Sequence, residues 1–417
     1  MAPITLAIMI KTKCNSFLRF NTEIIKYDFY QLESMVKVAS GVSKIRLSGI
    51  EEMNELAKKV DGLINMGQGK PIFKTPLPVI NAAKRALDEG HTKYTLSRGI
   101  EELRIALARK MADYNKIDAT PEEILVTVGV SEGISISLLS YAEKGDKVII
   151  PTPSHPFFRI MGEFVGAEVI EVPCKQGDFS LDIEAIEDLT DDKTKAIMIN
   201  VPNNPTGKIY DGRQLKKLQR MAANQDFLVI SDEIYDYIVF EKRHESIAKH
   251  GKENIITLSG FSKAYSMTGW RIGYMHSTEE IINSILPVHN SLVVSAPEFI
   301  QVAALKAVND ETSLNFVKAT TEEYKKRRDL VVKRLNEIGL HSNFPEGAYY
   351  AFSDISSYRM DSLGFAKFLL KVAKVLCVPG ISFGKDWDGY VRFSFADVPQ
   401  SDLFEAMDRI EKVLKRV

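Results

Sequence analysis

Residues 259–274 read SGFSKAYSMTGWRIGY, and the lysine among them, Lys263, belongs to no solvated charge run. Apolar segments flank it: IITL before (Ile255 to Leu258) and WRIGY after (Trp270 to Tyr274). Both read as short buried strands. A lysine carried into such a place is costly unless it does chemistry or finds partners. Burial lowers its pKa and favours the neutral amine, the form that attacks carbonyl carbons. A Ser-Lys pair in isolation is an ordinary loop; its meaning comes from the rest of the chain.

Upstream of Lys263, short apolar runs alternate with helical patterns. The runs are EILVTV, KVII, EVIEV, KAIMIN, FLVISD and IITLSG, with WRIGY as the seventh. They are continuously apolar, which predicts strands buried on both faces of a mostly parallel sheet with helical crossovers. Right-handed crossovers line the strand C-termini along one edge, where α/β proteins hold ligands. After about residue 280 the pattern changes to long helices (Glu279 to Val288, Pro297 to Val308, Leu314 to Gly339). These lead to strands GAYYAF, VLCVPG and YVRFSF and a last helix, Gln400 to Arg416. This reads as a second, α+β domain joined through a long helix. Residues 28–60 have an amphipathic helical pattern, and Pro76 to Leu87 reads as a helix with proline at its start. Ala2 to Ile10 is apolar but too short to cross a bilayer, and its lysines follow the run instead of preceding it.

Net charge is −1, from 54 basic and 55 acidic residues, so no long-range field draws nucleic acid or an anionic membrane. Cys14, Cys174 and Cys377 are widely spaced without a CxxC, which fits free thiols in a reducing compartment and a cytoplasmic location. His244, Glu245 and His250 do not make the HExxH spacing; they read as surface, and no metal site is expected. The run Lys325-Lys326-Arg327-Arg328 reads as a solvated helix face.

The chemistry gathers just after the strands. Gly129-Val130-Ser131-Glu132-Gly133 opens a helix, whose free N–H groups and dipole suit a phosphate, although Ser131 alone reads as an N-cap. Val201-Pro202-Asn203-Asn204-Pro205-Thr206-Gly207 makes a rigid turn able to hold a side-chain amide towards a ligand oxygen. Asp232 ends FLVISD, with Tyr235 three residues on; a carboxylate there needs a cationic partner or a donor. Arg271, between Trp270 and Ile272, is expected to be buried and paired, and its planar fork suits phosphate. A cradle, an amide, an acid, an amine and an arginine on one edge meet the protein-side requirement for pyridoxal phosphate, whose pyridine nitrogen a buried carboxylate keeps protonated.

The NNPTG turn, SDEIY, SKAYSMTGWRIGY and YVRFSFA resemble the fold-type I pyridoxal-phosphate aminotransferases of class I/II, the aspartate-aminotransferase-like group, over about residues 30 to 417. The resemblance implies a three-layer α/β/α large domain with a mostly parallel seven-stranded sheet (residues 76–300). It also implies a smaller α+β domain built from an N-terminal segment (28–75) and a C-terminal one (301–417), with 1–27 an extension. Carried over by motif, Lys263 is the Schiff-base lysine and proton-transfer base, and Asp232 pairs with the pyridine nitrogen. Tyr235 and Asn204 donate to the ring oxygen. Val130, Ser131, Ser262 and Arg271 hold the phosphate. Arg392 clamps the substrate α-carboxylate, and Gly69 lies over it. Tyr94 reaches the phosphate of the neighbouring subunit, which implies a homodimer.

The departures are local. Where the family stacks an aromatic residue on the cofactor ring, PTPSHPFF has His155, whose charge can vary near neutral pH, with Phe158 as a substitute. GKPIF puts Lys70 and Ile72 in place of a usual acidic pattern. Gly260 stands where some members have a phosphate-binding serine, leaving Ser262 or Ser259 for that part. Arg98 is a candidate for a substrate's distal carboxylate across the dimer, beside the plainer reading of an ion pair. The implied activity is amino transfer between an L-amino acid and a 2-oxo acid by a ping-pong mechanism. The donors expected are aspartate, aromatic or broad-range amino acids, and the acceptor is 2-oxoglutarate. The alternative on the same fold is a C–S β-lyase or an aminocyclopropane-carboxylate-synthase-like lyase. A cofactor-binding transcriptional regulator is disfavoured by the neutral charge and the short N-terminal segment.

Overall fold

The structure, a computed structural model, describes residues 49–415; the expected extension 1–27, Cys14 and the first part of the helix expected over 28–60 lie outside them. In chain order the elements begin with α1 (Gly49–Ala57), β1 (Ile64–Asn65), α2 (Leu77–Asp88) and α3 (Glu101–Lys110). The α/β alternation follows: β2 (Ile124–Thr127), α4 (Val130–Tyr141), β3 (Lys147–Thr152), α5 (Pro156–Phe164), β4 (Glu168–Pro173), α6 (Ile183–Leu189) and β5 (Thr194–Asn200). It closes with α7 (Gly212–Gln225), β6 (Leu228–Asp232), β7 (Ile255–Gly260) and β8 (Gly273–His276).

These strands form one seven-stranded sheet in the order β2-β8-β7-β6-β5-β3-β4. β8 is antiparallel to both its neighbours, and the other pairs are parallel. The continuous apolar runs have a direct cause. Ile197, Ile199 and Val229 face one core with Leu215, Leu218 and Ala222 of α7. The alternating residues Met198 and Ile230 face another, with Ile134 and Leu138 of α4. Each such side chain, fully buried, contributes about 1.5–3 kcal/mol, and this sheet collects it on both faces.

The remaining elements are α8 (Glu279–Val293), α9 (Glu298–Asn309), α10 (Glu311–Glu337), β9 (Tyr350–Asp354), α11 (Ser362–Phe368), β10 (Val375–Leu376), β11 (Val378–Pro379), β12 (Tyr390–Ser394) and α12 (Gln400–Leu414). β9, β12 and β11 make an antiparallel sheet with β12 in the middle, and β1 pairs parallel with β10, joining early and late chain. Met53, Ile64 and Met66 share an apolar cluster with Val331, Leu335, Phe393, Leu403 and Ile410.

Three expectations need correction. WRIGY is a strand only from Gly273; Trp270 closes a short 3-10 turn and Arg271 is left-handed at φ 53°. The helix expected to stop at Val288 continues to Val293 with Pro287 inside, because Ile282, Ile285 and His289 pack one buried stripe. The basic run 325–328 is not a wholly solvated face. Arg327 donates to the Val398 carbonyl at 2.8 Å, and Arg328 forks onto Glu241 at 2.6 and 2.7 Å, both arginine side chains being buried. Successive residues on a helix point in different directions, so half of a charge run can turn inward.

Candidate active site

Register brings the functional strand ends together. Asn200 of β5 lies opposite Asp232 of β6, and Asp232 opposite Leu258 of β7. Because β8 runs the other way, Gly273 at its start faces Gly260 at the end of β7 and Thr127 at the end of β2. Arg271, two residues before Gly273, therefore arrives at the same edge as Lys263 and the start of α4.

Lys263 is half-buried in the turn after β7, and its Nζ donates to the Gly69 carbonyl at 2.8 Å. That carbonyl also accepts from Tyr349 Oη at 3.0 Å. Desolvation lowers the amine from 10.5 to about 8; Asp232 opposes the shift, and Arg392 and Arg271 add to it. Asp232 moves the other way. Burial raises its carboxyl from 3.8 to about 7, against the Ile234 N–H and the charge of Lys263, with Glu233 adding to the rise. Among the described residues the only hydrogen bond to the Asp232 carboxylate is from Ile234 N at 3.1 Å. A buried carboxylate so sparsely bonded is ready for a cationic donor.

The NNPTG turn divides its two asparagines between framework and site. Asn203 braces the turn, donating to the Pro153 carbonyl at 3.1 Å and accepting from Thr206 N and Oγ1. Asn204 is fixed by its backbone N–H on Asn200 Oδ1 at 2.7 Å, and its Oδ1 accepts from Arg392 Nη1 at 2.8 Å. Arg392, 2% exposed on the middle strand β12, also donates from Nη2 to the Gly67 carbonyl at 2.6 Å. Its buried Nε has no partner. Burial pushes the guanidinium below its ordinary value, and neighbouring tyrosines oppose this. Its central carbon lies 4.4 Å from the Tyr350 ring centre and 5.0 Å from that of Phe383.

Tyr235 does not stand alone. Its hydroxyl shares a 2.8 Å hydrogen bond with that of Tyr350. A Cβ at Gly69 would lie 2.0 Å from the Tyr350 hydroxyl, so only glycine lets the two segments meet. Tyr350 and Phe383 were not among the sequence candidates. The available signal was strand alternation: Tyr350 pairs with Ser394, two residues from Arg392, and so shares its face.

At the other end, Gly129 is the N-cap of α4 at φ 80°, and a Cβ there would meet Arg271 Nη2 at 2.6 Å. The N-cap is thus Gly129 and not Ser131, which stands exposed in the first turn beside the half-buried start residue Val130. Arg271 is not buried: it is exposed, bonds the Thr268 carbonyl at 3.1 Å and has no ion pair among the described residues. The left-handed backbone turns it out of the apolar flanks. Ser262 is buried nearby, whereas Ser259 donates its hydroxyl to the Glu233 carbonyl at 3.3 Å and is turned away from phosphate duty. His155 caps α5, its Nδ1 accepting from Phe157 N at 3.3 Å. Desolvation first, then Arg392 and Lys263, lowers it from 6.5 to about 3, so its charge does not vary near neutral pH. Phe158 is in the core behind α5 and cannot replace it against a ring.

Other candidates fall outside this cluster. Tyr94 is 82% exposed on the molecular surface. Arg98 is occupied within its own chain by the Glu122 carbonyl and Asn283. His244 is not a surface residue; its side chain is 0% exposed, bonded to Glu233 at 2.7 Å, while His250 lies half-buried beside Glu245. Among the described residues no cluster of histidine, cysteine and carboxylate side chains could hold a metal ion.

The donor set fits pyridoxal phosphate by its own chemistry. A glycine-opened helix start with Arg271 suits a dianion, the sparsely bonded Asp232 a pyridinium nitrogen, and the lowered Lys263 an aldehyde carbon. The comparisons agree. The family model described as aminotransferase class I and II matches residues 61–410. Aromatic-amino-acid aminotransferase 2 of Thermococcus litoralis is 39% identical over 373 residues, covering 88% of this chain and 96% of the relative. Aspartate aminotransferase of Pyrococcus horikoshii is 36% identical over 381 residues, covering 91% and 97%. The structure of Thermus thermophilus aspartate aminotransferase with maleate superposes with a TM-score of 0.87 at 36% identity, over 91% of this chain and all (100%) of that one. The chain belongs to the class I and II aminotransferase family. It is a pyridoxal-phosphate-dependent aminotransferase on the fold-type I scaffold.

Proposed function

We propose that this enzyme transfers the amino group of aspartate or an aromatic L-amino acid to 2-oxoglutarate, with Arg392 as the carboxylate clamp and Lys263 as the base. The observation that carries the reading is that both side chains reach the Gly67–Gly69 segment, Arg392 through the Gly67 carbonyl and Lys263 through that of Gly69. A substrate seated there has its carboxylate against one and its α-carbon against the other. Pyridoxal phosphate, when bound, supplies the ring that accepts the electrons of the substrate α-carbon. The chain's own residues do the rest. Asp232 would hold the ring nitrogen, and Tyr235 with the amide NH₂ of Asn204 would hold the ring oxygen. Val130 N–H, Ser131, Ser262 and Arg271 would hold the phosphate, and His155 would line the ring. The Lys263 amine, its proton affinity lowered by burial, would take the α-proton at Nζ and hold it for return.

The donor class rests on the names of the relatives and on the tyrosines 235, 349 and 350 around the clamp, which suit an aromatic side chain as well as a short acidic one. Tyr94 and Leu96, 82% and 73% exposed, support a homodimer in which Tyr94 completes the phosphate site of the second subunit. Free Cys174 and Cys377 accord with a cytoplasmic location. The test is visible absorbance of the cofactor-loaded protein during titration with single amino acids and no oxo acid. Bleaching of the yellow band by aspartate or aromatic amino acids, with release of the matching 2-oxo acid, is expected; release of pyruvate and ammonia instead overturns the transfer reading.

A further inference from the structure

Directly after Asp232, Glu233 is a second carboxylate with 0% exposure, and no part of the chemistry above uses it. Its Oε1 accepts from Ser231 Oγ at 3.0 Å and Ser246 Oγ at 2.8 Å, and its Oε2 is 2.7 Å from His244 Nε2. The His244 side chain is equally enclosed, and its Nδ1 has no partner. The backbone of Glu233 is held on both sides as well: its N–H donates to the Leu258 carbonyl at 2.7 Å, and its carbonyl accepts from Ser259 Oγ. One residue thus ties the end of β6, which carries Asp232, to the end of β7, from which Lys263 hangs.

The charges around this edge give the carboxylate a reason to be there. Lys263, Arg271 and Arg392 are cations on the site, and among the described residues Asp232 is the anion that faces them. Arg271 and Arg392 are matched by the phosphate and the substrate carboxylate when these are bound, and a protonated ring nitrogen is favoured further by each additional negative charge within reach. Glu233 is a buried carboxylate next to Asp232 whose serine and imidazole donors keep it from needing a cation of its own. Its charge reaches Asp232 and adds to the raised proton affinity there.

We propose that Glu233, braced by His244, Ser231 and Ser246, is a positioning residue of the transfer: it fixes Asp232 relative to Lys263 and supplies the negative charge that lets Asp232 hold a protonated ring nitrogen. This rests on the cofactor reading given above. The test compares Glu233→Gln, which keeps shape and removes charge, with His244→Gln, which keeps the charge and an amide donor. Cofactor dissociation constants and the pH midpoint of the visible band of the loaded protein are measured for both, alongside the Tm of the cofactor-free chains. Glu233→Gln is expected to weaken cofactor binding about three- to tenfold and to lower the midpoint by about 0.5–1 pH unit. His244→Gln is expected to stay within about twofold of the parent in affinity and within about 0.3 pH unit in midpoint.

Should Glu233→Gln fail to fold, His244→Arg, which neutralises the same carboxylate, is expected to move both readouts in the direction given for Glu233→Gln. A lowered Tm with unmoved midpoint and affinity, or equal shifts in Glu233→Gln and His244→Gln, overturns the proposal and leaves the pair a fold staple. A parent protein that takes up no cofactor overturns the cofactor reading instead.

Discussion

Arg392 is 2% exposed and already bonded to Asn204 and Gly67, whereas Arg271 is exposed, left-handed and, among the described residues, bonded only to the Thr268 carbonyl. The first is built into the fold: its strand lies between β9 and β11, and its partners come from the NNPTG turn and the segment after β1. The second is left open beside a helix start. A desolvated guanidinium discriminates strongly by shape and charge, and it also burdens the folded state with a buried ion. An exposed one adds affinity for a dianion at little cost to stability. With the roles proposed for them, the two arginines would divide selectivity for the reacting molecule from retention of the cofactor.

Lys263→Ala sets the scale against which both arginines are judged. It removes the proposed base, and transfer should fall by about 10²–10⁴-fold or more, read as single-turnover loss of the visible band. Arg392→Ala should raise KM for α-carboxylates by about 30- to 1000-fold and also lower the Tm of the cofactor-free chain, because Asn204 Oδ1 and the Gly67 carbonyl lose their donor. Arg271→Ala should weaken cofactor binding by about tenfold in equilibrium dialysis while shifting stability by less than about 0.5 kcal/mol. Equal Tm losses in the two arginine variants would break the comparison.

Two pH effects sharpen it. The folded-state carboxyl of Asp232 is raised to about 7 from 3.8, so the unfolded chain gives up this proton first as pH rises. That costs the cofactor-free fold stability between about pH 4 and 7; Asp232→Asn should therefore melt higher than the parent at pH 7 and at the same temperature below pH 4. His155 is lowered to about 3 from 6.5, so the unfolded chain binds its proton first as pH falls. The parent should lose stability from about pH 6.5 downward, and His155→Phe should lose less, with the activity profile between about pH 7 and 8 unchanged in shape. This is the smallest effect, because the ring is only half-buried.

Much of the site was legible because its residues end strands. Asp232 closes LVISD, Lys263 follows IITLSG, and Asn204 follows KAIMIN, so the apolar runs themselves point to the edge. What sequence could not give was orientation. Arg271 sits among apolar neighbours, yet one left-handed residue turns it out. His244 sits among charges, yet a 0% exposed Glu233 draws it in. Tyr350 belongs to no motif, and its place depends on pairing β9 with β12, which are about 40 residues apart in sequence. Arg327 and Arg328 misled for the same reason, since their partners Val398 and Glu241 lie far along the chain.

The carbonyls of Gly67 and Gly69 accept hydrogen bonds from Arg392 and Lys263. A ligand of either side chain therefore enters by exchange, replacing a contact the backbone already makes. Exchange keeps net affinity modest even where the individual contacts are strong. For a catalyst that must release one oxo acid before taking up another at the same place, such moderation favours turnover over retention. The backbone acts here as a resident competitor, present at a fixed local concentration and unable to diffuse away.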